Sequence, residues 1–94
     1  MTTEVVQNDT LNRFELLVDG ESAGRVDYQV RDDTIVLIHT EVDPNRQEHG
    51  LGGELIQGAL NLIRAETELR VVASCPFAAD WIEKHPEYEE LLRR

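Results

Sequence analysis

Residues 34–63 read TIVLIHTEVDPNRQEHGLGGELIQGALNLI: a β-branched run, a proline break, a glycine-rich turn and a leucine-rich run. The first run, residues 34–42, is apolar on both faces through Ile38, the pattern of a central strand covered on both sides. Asp43-Pro44-Asn45 ends it, because proline has no N–H to give a ladder. Beyond the turn, Leu51, Leu55, Ile56, Ala59, Leu60 and Ile63 recur at helical spacing, so a helix over about residues 50–66 lays one stripe on the sheet. Gly58 in its interior costs about 1 kcal/mol relative to alanine, which predicts close packing there. Glycines at the strand-to-helix turn permit unusual φ/ψ and close approach to backbone N–H groups. The first turn of a helix carries unpaired N–H groups and partial positive charge, so this turn can hold an anion.

Outward from that core, RFELLVD places Phe14, Leu16 and Val18 on one face of a strand, and Asp19-Gly20 suits a two-residue hairpin turn. The return strand, SAGRVDYQV, puts Val26, Tyr28 and Val30 on one face, and Asp32-Asp33 makes the next turn. These strands and residues 34–42 form a three-stranded antiparallel meander. LRVVAS, residues 69–74, is another apolar strand, and a strand-helix-strand unit lays it parallel to residues 34–42 through a right-handed crossover. Pro76 opens a short helix that ends before Pro86, and PEYEELL adds a last turn or two. Trp81, Ile82, Tyr88 and Leu91 recur near helical spacing and seal the core's open end. The polar residues 1–11 read as frayed. The chain is α/β with a mixed sheet, a single domain over residues 1–94.

With 94 residues, nine Lys and Arg against nineteen Asp and Glu, and a net charge of −10, the chain lacks the cations that neutralise phosphate backbones. Nucleic acid and anionic membranes are excluded as partners on that ground. No apolar run approaches the ~20 residues of a membrane span. The opening MTTEVVQNDT has no positive, apolar leader, and the single cysteine gives no internal disulfide, so a cytoplasmic location is expected. The three histidines have no metal-ligand spacing, and no metal is expected.

The turn lacks the lysine of a P-loop and the third glycine of a dinucleotide fingerprint. It does match Q/R-x-x-G-x-G/A, written Gln47-Glu48-His49-Gly50-Leu51-Gly52. Taken with VVASCPFAADWIEKHPEYEELL, the stretch HTEVDPNRQEHGLGGELIQGAL resembles the small, minimal members of the GNAT superfamily of acyl-CoA-dependent N-acetyltransferases, over about residues 10–92. That resemblance implies a sheet whose two central parallel strands splay apart, with acetyl-CoA wedged between them. It implies main-chain contacts from Gln47, Glu48, His49, Gly50, Leu51, Gly52 and Gly53 to the CoA diphosphate. The strand end around Thr40, Glu41 and Val42 would pair with the pantetheine arm. Relatives often carry Arg-Gly-Lys-Gly where this chain has Gln47, Glu48, His49 and Gly50, so backbone rather than side-chain cations would hold the phosphates. Arg46 and Lys84 are the nearest cations to offset the negative field.

Cys75 closes the second parallel strand and opens a helix, a position that lowers a thiol pKa. It is a candidate nucleophile or proton donor to the departing CoA sulfur; a small buried hydrophobe is the plainer alternative. Glu41 is a candidate base for the incoming amine, or a solvated strand-end acid. The function so implied is acetyl transfer from acetyl-CoA to an amine acceptor, a small molecule or a protein. The alternative is a non-catalytic CoA-binding or protein-interaction module.

Overall fold

A computed structural model of the chain describes residues 2–45 and 50–94. Five strands, β1 (Thr3–Asn8), β2 (Arg13–Val18), β3 (Glu21–Arg31), β4 (Thr34–Val42) and β5 (Arg70–Ala73), form one sheet in chain order. The first four pair antiparallel, and β5 lies parallel to β4. Between them runs helix α1 (Leu51–Glu66); after β5 come α2 (Pro76–Glu83) and a 3-10 helix (Pro86–Leu92). The α/β class, the mixed sheet and the parallel β4–β5 pair match the sequence expectation.

The turns follow their chemistry. Asp19 and Gly20 both take positive φ, 51° and 87°, as a two-residue hairpin matching strand twist requires. Phe14, Leu16, Val18, Val26, Tyr28, Ile35, Leu37 and Val71 all bury one sheet face. Against it α1 lays the six apolar residues expected from the helical period, every one of them buried. Burying a side chain of that size contributes about 1.5–3 kcal/mol, so this stripe is the main hold on the sheet.

The sequence expectation and the fold part at three places. The meander has four strands, not three, because residues 3–8 pair in register with β2 instead of fraying. Only Val5 and Val6 there are apolar, so burial alone does not mark a strand. Val5 fills the space left by Gly58 of α1, where a Cβ would collide with it, and Gln7 donates to the Tyr28 hydroxyl at 2.9 Å. The close packing predicted at Gly58 is thus a contact with the missed strand. Secondly, β4 is covered on one side only, and Ile38 is 43% exposed. The helices contact the face that carries Leu37, and the other face meets solvent.

The third difference is a bulge. Asp27 pairs with His39 and Tyr28 with Leu37, leaving Ile38 as an extra residue on β4. Simple alternation from Leu37 would turn His39 and Glu41 toward the helices. The bulge reverses that, so Thr40 opposite the buried Val26 joins the core face, and His39 and Glu41 emerge on the open one.

At the C-terminal end Ile82, Tyr88 and Leu91 are buried, as the sealing role requires. The Tyr88 hydroxyl donates to Asn61 of α1 at 2.8 Å, and Arg64 lies over its ring at 4.6 Å. His85 stacks on Trp81 with ring centroids 3.7 Å apart, which accounts for it structurally.

Candidate functional site

The β4–β5 ladder ends at the Leu37–Ala73 pair. There the Leu37 carbonyl accepts from two amides at once, Ser74 at 2.9 Å and Cys75 at 3.0 Å. That double contact turns the chain out of β5 and into α2, while β4 runs on to Val42 beside β3. The two central strands therefore diverge, and the opening lies at the mouth of α1.

That mouth is shaped by backbone. Gly50, the residue before α1, is left-handed with φ 68°, and among the described residues no side chain caps the helix. The amides of the first turn thus have no intrahelical acceptor, and no capping oxygen among the described residues. A cavity of about 380 Å³ sits over them, lined by Thr40, Val42, Gly50, Gly52, Gly53 and Phe77. The Phe77 ring lies where a Cβ on Gly52 would stand, 2.7 Å from it, and the Trp81 indole closes on Gly53 in the same way at 3.1 Å. These two glycines admit rings of α2 as well as leaving the helix mouth accessible. Phe77, half exposed in the cavity wall, is a residue that sequence reasoning missed; its place one residue past Pro76 was the available signal.

Cys75 stands at the inner edge of this opening, the residue preceding α2 and only 4% exposed. Its sulfur is 3.2 Å from the Thr40 hydroxyl, a pair in which either atom can donate. Burial pushes the thiol pKa up, but hydrogen bonds from the Thr40 side chain, the amides of Ala78 and Phe77 and the Thr40 backbone outweigh it, and the net direction is downward. Thr40 reaches this sulfur because the bulge at Ile38 turned it inward.

The expected site residues divide into three groups. Thr40, Val42, Gly50, Gly52, Gly53 and Cys75 gather around the opening, with Leu51 buried beneath it. Glu41 does not join them. It lies on the open face, with its carboxylate 2.9 Å from the Arg25 guanidinium and 3.7 Å from His39. Gln47, Glu48 and His49, and with them Arg46, lie outside the described residues. Lys84 pairs with Asp80 at 3.0 Å on the surface of α2 and does not face the opening. Among the described residues, no group of three His, Cys, Asp or Glu could hold a metal ion. No helix there is long and apolar enough to cross a membrane.

The residues present fit a CoA thioester. A parted strand end offers main-chain groups to an extended amide chain, and an uncapped helix mouth suits a diphosphate. The family model described as GCN5-related N-acetyl-transferase matches residues 13–91, nearly the whole chain. The chain belongs to the GCN5-related N-acetyltransferases. Membership supports acyl-transfer function broadly, in a family that generally uses acetyl-CoA. A search of curated proteins finds no match.

Proposed function

We propose that the protein is an acetyl-CoA-dependent N-acetyltransferase acting on an amine acceptor. The observation that carries this reading is the end of the β4–β5 ladder at Leu37 beside an uncapped, glycine-built helix mouth. In this reading the amides of Leu51, Gly52 and Gly53 hold the diphosphate, and the strand end from Thr40 to Val42 aligns the pantetheine arm. The bound co-substrate supplies an activated acyl carbonyl. An uncharged amine attacks that carbon, a C–N bond forms, the C–S bond breaks and the sulfur leaves with the electron pair.

Two protons then need places. Cys75, adjacent to the opening and tuned by Thr40, gives its proton to the departing sulfur. Glu41, paired with Arg25 on the other side of the same strand end, accepts the amine's proton directly or through one water.

Incubating the protein with acetyl-CoA and a panel of amines and peptides, and following the mass gain of acetyl adducts by mass spectrometry, tests this.

 Acetyl transfer that Cys75→Ala reduces, with CoA binding intact, supports the assignment. CoA binding without turnover on any amine would instead make the domain a binding module.

A further inference from the structure

The end of β4 lines two cavities. Thr40 and Val42 border the one at the helix mouth, whereas Glu41 and Asp43 border a second, on the open face of the sheet. This second cavity, about 310 Å³, is also lined by Arg13, Glu15, Ser22 and Arg25. Because β5 has already left, only the width of one strand separates the two.

Its charges are of both signs and unequally engaged. Glu15 is held by Asn8 at 3.0 Å and Ser22 at 3.4 Å. Arg25 is occupied by Glu41 at 2.9 Å and Asp27 at 3.4 Å. Among the described residues Arg13 has one ionic contact, to Glu15 at 3.7 Å, beyond hydrogen-bond reach, and its side chain stays 31% exposed. A guanidinium whose terminal nitrogens are not engaged at hydrogen-bond distance takes a carboxylate through two parallel hydrogen bonds. Arg13 is therefore the anion-receiving end. Glu41, on the strand that borders the opening, meets Arg25 and His39 through Oε2, and its Oε1 is the end that attracts an ammonium. Arg13 on β2 and Glu41 on β4 are two strand spacings apart across the sheet and two residues apart along it, roughly 12 Å between backbones.

We propose that this cavity is the acceptor subsite and takes an ω-amino carboxylate, an unbranched chain of lysine length with the amine toward Glu41 and the carboxylate on Arg13. Its role as acceptor subsite rests on the acyl-transfer reading; the binding itself does not. An α-amino acid is too short to satisfy both ends, and a simple alkylamine leaves Arg13 unpaired.

The test is a titration of the isotopically labelled full chain, without acetyl-CoA, followed by amide chemical shifts. The probes are ε-aminocaproate, hexylamine, hexanoate and glycine. The expected result is saturable movement of Ser22, Gly24, Arg25 and Glu41 with ε-aminocaproate, and affinity at least about tenfold weaker for each of the other three, as loss of one charged contact implies. Arg13→Gln should weaken ε-aminocaproate by a similar factor and leave hexylamine unchanged. Equal affinity for all four probes, shifts elsewhere, or no saturable shift overturns the inference, and the unmodified chain alone decides it if the variant misfolds. A parallel acetyl-CoA titration separates the two readings. Movement of Gly52 and Gly53 with acetyl-CoA, while Ser22, Gly24, Arg25 and Glu41 stay still under ε-aminocaproate, sinks the acceptor subsite alone; the reverse sinks the donor site alone.

Discussion

From Thr34 to Leu37, β4 lies between β3 and β5; from Ile38 to Val42 it continues beside β3 while β5 turns away into α2. The first half is saturated with ladder bonds and buries Ile35 and Leu37. The second half carries Ile38, His39 and Glu41 exposed on one face and Thr40 turned toward a thiol on the other. One half holds the fold and the other presents chemistry, and the change happens across a single bulged residue. On the function proposed above, the contrast teaches that a small domain can obtain a site from the place where a ladder stops.

The contrast breaks most visibly if its paired half is damaged. Leu37 is fully buried, so Leu37→Ala should cost about 2–5 kcal/mol through the cavity it leaves. In a domain of this size each kcal/mol lowers the melting temperature by about 4–8 °C, which calorimetry would register. A drop of less than one such step would mean that the paired half is not the structural one.

A smaller effect is expected at Gly58. Alanine there gains about 1 kcal/mol of helix propensity, yet its Cβ would overlap Val5. Overpacking of this kind costs about 1–3 kcal/mol, so Gly58→Ala should destabilise, and Val5→Ala in the same chain should restore part of the loss. Denaturant melts of the two single variants and the pair check this; strictly additive losses would show that Val5 and Gly58 do not touch.

How much of this was legible in the sequence differs by feature. The α1 stripe and the Asp19-Gly20 hairpin were readable because helical period and turn chemistry act locally. Strand β1 was not, because ladder bonds and the gap at Gly58 hold it, and neither leaves an apolar signature in residues 3–8. The bulge at Ile38 was invisible for a similar reason: TIVLIHTEV alternates equally well with or without it, and only the pairing with Asp27 and Tyr28 decides. Hence Thr40, Gly50 and Cys75 were nameable from the family resemblance, whereas the separation of Glu41 from them, and the ring of Phe77 against Gly52, needed coordinates.

The parted half is sharpened by Thr40→Val. The Cys75 thiol lies below its ordinary pKa in part through the Thr40 hydroxyl, so the pH midpoint of its alkylation should move upward in the variant. The sign for stability follows from linkage. A thiol with a depressed folded pKa stabilises the fold above its unfolded pKa, and that contribution fades as pH falls through the folded value. Urea midpoints of parent and variant should therefore differ more at alkaline pH than at neutral pH. An unmoved alkylation midpoint would remove Thr40 as the tuning group.

The smallest expected change is at Glu41. Its pair with Arg25 is more than half exposed on the carboxylate side, and such pairs contribute at most about 1 kcal/mol. Glu41→Gln should leave melting and CoA binding nearly unchanged while slowing acetyl transfer. A large loss of stability would recast Glu41 as a structural residue.

The most direct measurement is an amide-shift titration of the full chain with CoA. Diverging strands beside a bare helix mouth predict saturable movement at Gly50, Leu51, Gly52 and Gly53 together with Thr40 and Glu41, while Ile35 and Val71 in the paired half stay fixed. Movement confined to the paired half, or stillness throughout at millimolar ligand, would contradict the account.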